Sequence, residues 1–430
     1  MSHNAHLLGG VQKARARLLP FMILMYIMAF LDRANIGFAK QAFQADTGIS
    51  NAAFALGAGV FFVGYALFEV PSNILLARIG ARLWLSRIMV TWGLVASAMM
   101  FAHDETTFYI LRFLLGAAEA GFFPGIILYL TYWFPERARG QAIGIFYFAI
   151  PIALVLGSPI SGALLDLDGV MGLHGWKCMF MVEGLLTVAV GVWAFFYLDD
   201  SLASAAWLQP EEKAAMRRAL AEEDAAKASH SPVGAWRALL DPRVAFFSGV
   251  FFLIQVAVYG LIFYLPSIVA QLLGEKVGLV VGLVAAIPWA ISIVTAYYVT
   301  RWSDRTGKRR GVVVGLFAAM GVALGASLYL DGLWSLVAIS IAACGYFAAT
   351  PLFWTLPTAY LSTTAAAAGI ALINSLGNLG GAVAPSLKTW VEQQFASDAA
   401  GMLVMGIVAV LSAMLLFCLR PLSRPISSEE

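Results

Sequence analysis

The sequence predicts an all-α membrane protein of twelve transmembrane helices, arranged as two pseudo-symmetric six-helix halves. Three observations predict it. Of the 430 residues, 61% are hydrophobic and only 12% are charged, about half the charge of soluble chains. Such a surface needs lipid as its solvent. Twelve apolar runs approach or exceed the roughly 20 residues that a bilayer crossing requires, and they divide six and six about one long polar segment, 199–243.

The first half covers 1–198. Its opening stretch, "MSHNAHLLGGVQKARARLLP", has no small-residue cleavage site after the first apolar run. That run, 18–40, therefore reads as a spanning helix and not as a removable signal. Further spans fall at about 52–76, 83–102, 107–131, 140–165 and 178–198. Segment 199–243 is charged and polar, and its middle is rich in helix-forming Ala, Glu, Lys and Arg. It is expected to be a cytoplasmic linker with a surface helix. The second half, 244–430, places spans at about 244–270, 278–300, 311–330, 333–358, 366–390 and 400–420.

Orientation follows from the basic residues. Of 27 Lys and Arg, 21 fall on the side that carries both termini. Only Lys40, Lys177, Lys276 and Lys388 fall on the other side, while Arg33 and Arg112 lie within spans. The positive-inside rule puts both termini in the cytoplasm. The halves also repeat a loop: "LLARIGARLW" and "RWSDRTGKRRG" each follow the second span of their half. Both fit a tight glycine turn, at Gly80 and Gly307, with basic residues before the next helix. Such duplication is expected of secondary transporters.

Six ionisable groups stand inside apolar runs, and all are in the first half: Asp32, Arg33, Glu69, Arg112, Glu119 and Glu183. A charge at membrane depth faces the protein interior and usually has a partner and a task. In "YIMAFLDRANIGFA", Asp32 and Arg33 differ by about 100° around their helix, so they serve two different spots. In "YILRFLLGAAEAGFFPG", Arg112 and Glu119 are nearly two turns apart on one face, among small residues that permit close approach. Two arginines can hold a substrate carboxylate by charge-assisted hydrogen bonds, and Asp32 and Glu119 are candidate proton carriers. The alternative is a structural network of Asp–Arg and Glu–Arg pairs. Glu69 is expected to pair with an interfacial arginine, and Glu183 to cap or snorkel near its membrane boundary.

The second half offers polarity without charge: Gln255, Tyr259, Tyr264, Trp354, Tyr360, and the pair Asn374 and Asn378 on one glycine-lined face. That pair can bind ligand hydroxyls or tie helices together. The five histidines fall in tails or loops, which gives no expectation of a metal, a cofactor or a histidine proton relay. Cys178, Cys344 and Cys418 are far apart in apolar segments and read as buried packing thiols. A net charge of +2 without a basic stripe gives no expectation of a nucleic-acid partner.

The loop "DRTGKRR" resembles the loop signature of the major facilitator superfamily, and the whole chain shares that family's layout. The resemblance assigns a conformational latch to Asp304, Arg305 and Gly307. Loop 2–3 departs from the signature, with Ala77 where an acid is usual. "LDRANIGFA" and "LRFLLGAAEAGFFPGIILYLTYWFP" resemble the anion:cation symporter family, and "FFVGYALFEVPSN" and "FWTLPTAYL" its tartrate-transporter-like branch. The resemblance implies proton coupling at Asp32 and Glu119. It implies substrate contacts at Arg33, Arg112, Tyr65 and Asn374, with Tyr259 and Trp354 as further candidates. The expectation is a monomeric, proton-coupled importer of tartrate or a related hydroxy or sugar acid in a bacterial inner membrane. The alternatives are import of aromatic carboxylates and proton-driven drug export. "LGSPISG" partly resembles an exporter motif, with Ser158 and Ser161 where glycine is usual, but two buried arginines disfavour cationic drugs. No nucleophile–base pair suggests an enzyme.

Overall fold

The computed structural model describes residues 2–228, 241–360 and 363–419, and every regular element among them is a helix. The first half contains Ser2–Thr47 (α1), Asn51–Ile79 (α2), Ala81–Ala98 (α3), Glu105–Glu119 (α4), Phe122–Trp133 (α5), Glu136–Tyr147 (α6), Ala149–Leu165 (α7) and Gly175–Tyr197 (α8). Pro210–Ala228 (α9) lies in the linker. The second half contains Pro242–Leu273 (α10), Leu279–Thr306 (α11), Arg309–Ala326 (α12), Gly332–Phe353 (α13), Thr355–Tyr360 (α14), Thr363–Phe395 (α15) and Asp398–Cys418 (α16). Helices α4 and α5, α6 and α7, and α13 and α14 are consecutive parts of single spans, which gives twelve crossings among the described residues. Among the described residues, eleven helical spans are long and apolar enough to cross a membrane. The twelfth crossing, α15, has 33 residues, about 50 Å of helix, and its apolar run is interrupted by Asn374, Ser375 and Asn378.

The first span is longer than the sequence suggested. Residues read as an N-terminal tail continue α1 without interruption. The reason is the linker: α9 lies against this extension, and a Cβ on Gly10 would overlap Met216. Lys13 Nζ meets Glu212 at 2.8 Å, Arg139 meets Glu223 at 2.6 Å, and Trp207 stacks on Trp133 at 5.5 Å. The expected surface helix is therefore docked onto the first half. Linker residues 229–240 lie outside the described residues, as do Arg420 and Arg424 of the C-terminal tail.

The halves meet at the end that bears loops 48–50, 166–174 and 274–278. Three helix pairs approach closely enough there that a side chain at the contact would not fit. Gly37 of α1 lies on the Phe263 carbonyl of α10, and Gly59 of α2 on the Ala382 carbonyl of α15. Gly162 of α7 lies on the Gly278 carbonyl, and Gly282 of α11 on the Ser158 carbonyl. Asp166 at the end of α7 accepts the Leu279 N–H of α11 at 2.8 Å. A void of about 10 Å³ remains between Ala34, Phe38, Ser158, Pro266 and Trp289. That is room for no more than one water. The halves are closed against each other at this end.

Of the three thiols only Cys178 is buried. Cys344 is half-buried, and Cys418 is exposed because it ends α16 on an outward-facing side.

Candidate functional site

The site is built on the contact between α2 and α4. A Cβ on Gly116 would strike the Phe61 carbonyl, and one on Gly64 the Phe113 carbonyl, so the two backbones touch. This closeness decides the fate of Arg112, which is 1% exposed. Its Nε and Nη2 donate to the carbonyls of Gly57 and Ala58 of α2, at 3.3 and 3.2 Å. Its guanidinium lies 5.0 Å from the Phe61 ring. In this conformation Arg112 ties α4 to α2.

Helix α4 stops at Glu119. Pro124, in the first turn of α5, has no N–H for the Ala120 carbonyl and would clash with it in a continuous helix. The chain breaks at Ala120 and Gly121, the latter at φ 84°. Gly121 is required twice over, since a side chain there would also meet Ser72 of α2. The break leaves Glu119, 1% exposed, aimed at α1.

Glu119 pairs with Arg33 and not with Arg112. Arg33 Nη2 and Nε reach the same oxygen, Oε1, at 2.6 and 2.8 Å, while Glu119 Oε2 accepts no hydrogen bond. The Arg33 guanidinium lies 5.1 Å from the Tyr65 ring, 5.3 Å from Phe30 and 5.6 Å from Phe61, near enough for cation–π attraction. Its Nη1 reaches the Tyr259 hydroxyl of α10 at 3.5 Å, a long bond from the first half to the second. Arg33, Glu119, Tyr65 and Tyr259 thus form one cluster at the junction of the halves. Arg33 is 9% exposed, the most accessible charge in it.

Asp32 faces away from Arg33, as their positions on the helix predicted. Its Oδ2 accepts from Trp92 Nε1 of α3 at 2.6 Å and from Thr187 Oγ1 of α8 at 2.9 Å. The structural alternative is half realised: Glu119 pairs with an arginine, but Asp32 pairs with none among the described residues.

Two acids were misplaced by sequence reasoning. Glu183 neither caps nor snorkels. It is 1% exposed and accepts from Asn35 Nδ2 at 2.8 Å and Ser161 Oγ at 2.7 Å. The helical register of α8 decides this, because Glu183 and Thr187 are one turn apart and both face α1. Glu69 pairs with no arginine among the described residues. It accepts from Ser375 Oγ of α15 at 3.0 Å, a further polar link between the halves. Asn35 and Ser375 are ordinary small polar residues in apolar runs, and only a turn-by-turn comparison with the acids would have marked them.

The other candidates lie apart from this cluster. Asn378, and not Asn374, is tied to α10, accepting from Gln255 Nε2 at 2.9 Å, and Tyr346 donates to Gln255 Oε1 at 3.0 Å. Asn374 is half-buried one turn away on α15. Trp354 packs on Phe251 at 4.9 Å and Phe353 at 5.6 Å, inside the second half. The side chain of Tyr360 lies outside the described residues. In loop 8–9, Gly307 ends α11 in the left-handed region at φ 69°. Asp304 meets Arg309 at 3.1 Å within the same loop, and Arg305 is exposed. Loop 2–3 recovers the acid it lacks at Ala77 from beyond α8: Asp200 accepts the Arg82 N–H at 2.9 Å and faces its Nε at 3.6 Å.

The arrangement can hold a charge and exchange it. A guanidinium sits on the seam between two halves, its acidic partner is sealed on one side, and an uncharged hydroxyl approaches from the other. Among the described residues no cluster of His, Cys, Asp and Glu could hold a metal ion.

Comparison with known proteins gives a consistent picture. The model of the family described as Major Facilitator Superfamily matches residues 22–385. The chain is 48% identical over 410 residues to the inner membrane transport protein RhmT of Escherichia coli, covering 95% of each chain. It is 44% identical over 407 residues to a protein of Agrobacterium vitis named "Putative tartrate transporter", covering 94% of this chain and 93% of that one. It is 39% identical over 402 residues to a quinolone resistance transporter of Acinetobacter baumannii, covering 93% and 92%. In fold it is similar to a bacterial homologue of the lysosomal transporter Spinster, solved inward-facing and unoccupied. That match has a TM-score of 0.75 at 18% identity, over 94% of this chain and 96% of that one.

Proposed function

The chain belongs to the major facilitator superfamily, and on that premise we propose that it is a proton-coupled symporter importing a small organic carboxylate. The substrate class is tartrate or a related hydroxy or sugar acid, and transport proceeds by rocking of the two halves. The observation that carries the reading is the Arg33–Glu119 pair beneath Tyr259. Ionised Glu119 occupies the guanidinium through one oxygen that takes two donors. A substrate carboxylate competes for the same donors. Protonation removes the charge of Glu119 and gives it an O–H donor, frees Arg33 for the substrate, and so makes proton and anion bind together. Tyr259 brings the second half to the same guanidinium, and Tyr65 walls it.

The relatives named for tartrate and inner-membrane transport support substrate class and location. The charge asymmetry supports cytoplasmic termini. The working unit is a monomer in the bilayer, with the small anion and protons as its partners. Arg112 and Asn374 join the substrate only if the halves rearrange. The Asp304 loop serves as a latch through its exchange of partners during that motion.

The deciding test is uptake into proteoliposomes across a panel of tartrates, sugar acids and aromatic acids, with and without a protonophore. The expected result is accumulation of a carboxylate that an inward proton gradient drives and a protonophore abolishes, with no binding of the corresponding diamide. Accumulation driven by sodium and indifferent to the protonophore refutes the proton assignment. A second reading, drug export, is favoured by the Acinetobacter relative. Net quinolone movement out of right-side-out vesicles would select it.

A further inference from the structure

Glu183 has no part in the cluster around Arg33, yet it is as deeply buried as Glu119. It belongs to a two-rung ladder between α1 and α8. On α1, Asp32 and Asn35 are one turn apart; on α8, so are Glu183 and Thr187. Thr187 donates to Asp32 Oδ2 and Asn35 Nδ2 to Glu183 Oε2, and Ser161 of α7 donates to Glu183 Oε1. The side chains that meet this ladder from other helices are Trp92 of α3, which donates to Asp32, and Ser161 of α7, which donates to Glu183. Asp32 is the one other ionisable group, and Arg33 on the next residue is turned to Glu119. No basic side chain pairs with Glu183 among the described residues.

The hydrogen bonds in the ladder do not balance for two ionised acids. Asp32 Oδ1 and Asn35 Oδ1 are buried acceptors with no donor. Two ionised carboxylates a rung apart, 2% and 1% exposed and without a paired cation among the described residues, are costly. One proton on Glu183 removes a charge and adds a donor. With the Asn35 amide turned so that its oxygen faces Glu183, the O–H donates to Oδ1, and the amide oxygen no longer lacks a donor.

We propose that Glu183 is a further proton-binding carboxyl of this transporter, which takes up and releases a proton while the Asn35 amide turns to match its charge state. The inference rests on the proton-coupled reading for its role in transport, but the site itself is defined without substrate. Its place also gives it an effect. Ser161 is three residues past Ser158, whose carbonyl lies against Gly282 of α11 where the halves close. A change in the charge of Glu183 therefore reaches the helix that seals this end.

The experiment is infrared titration of the purified full-length protein in lipid nanodiscs, without substrate, between about pH 5 and pH 9. The expected result is a protonated-carboxyl C=O band that fades as pH rises and is missing from Glu183→Gln. Ser161→Ala, which removes a donor to the ionised form, should move the midpoint of that band upward by roughly one pH unit or less. It also keeps the test informative if Glu183→Gln fails to fold. A spectrum without a band sensitive to either variant overturns the proposal, because Glu183 is then ionised throughout. A band that Glu183→Gln removes but that never titrates overturns it as well, because the proton is then a fixed part of the structure. The symport reading fails by a different measurement, wild-type vesicles that move tartrate without protons, and that result leaves the band to be judged separately.

Discussion

Replacing Glu119 by glutamine should separate substrate binding from its coupling to protons. Glutamine keeps the length and one oxygen acceptor for Arg33 Nε and Nη2, now 2.8 and 2.6 Å from Oε1, but removes the negative charge. Deleting one partner of a buried ion pair costs about 3–5 kcal/mol. A hydrogen bond between a charged and a neutral group restores about 1.5–3 kcal/mol of that, so the empty variant should lose on the order of 1–3 kcal/mol of stability. An anionic substrate recovers the loss, because it no longer has to displace a carboxylate from Arg33. Relief of about 1.4 kcal/mol corresponds to tenfold tighter binding. Calorimetric titration with tartrate should therefore show about tenfold higher affinity than wild type. It should also show an affinity that no longer weakens as pH rises. Counterflow exchange should survive and accumulation against a gradient should vanish. Two results would refute the reasoning: a variant that still accumulates substrate, or one whose affinity keeps the wild-type dependence on pH.

Other consequences follow from the same geometry. Asp32→Asn should bind substrate nearly as well as wild type, because Asp32 faces Trp92 and Thr187 and not Arg33, while its proton-driven uptake fails; a binding defect equal to the uptake defect would count against this. Gly116→Leu should cost about 1–3 kcal/mol or more by overpacking the α2–α4 contact. Gly144→Leu, where a side chain meets open space, should be tolerated, and thermal unfolding in detergent compares the two. The hydrogen bond from Lys13, and then the Gln209 N–H, hold the Glu212 carboxyl below its ordinary range. The contribution of a depressed acid is complete above its ordinary value of about 4.3 and is lost as pH falls through the lower folded value. Spin-label distances between α1 and α9 should therefore stay constant at neutral pH and lengthen only in stronger acid. Separation already at about pH 6 would show that this pair does not hold the linker.

The sequence by itself determined the class and layout of the protein. Lipid exposure and six-plus-six organisation are properties of composition and order along the chain, because the bilayer sorts residues by polarity wherever they later pack. It also determined that Asp32 and Arg33 must diverge, since helical geometry fixes the angle between neighbours. It could not choose partners. Arg112 and Glu119 share a face of α4, yet the glycine contact with α2 gives Arg112 backbone carbonyls, and the break before Pro124 turns Glu119 to Arg33. Glu183 is an acid near a boundary in one dimension. The register of α8 against α1 and α7 makes it a buried one, held by Asn35 and Ser161. Which charge meets which depends on how closely two helices approach and on where each turn falls. Those distances are set by side-chain packing between residues as far apart as Asn35 and Glu183, so only the tertiary structure decided them.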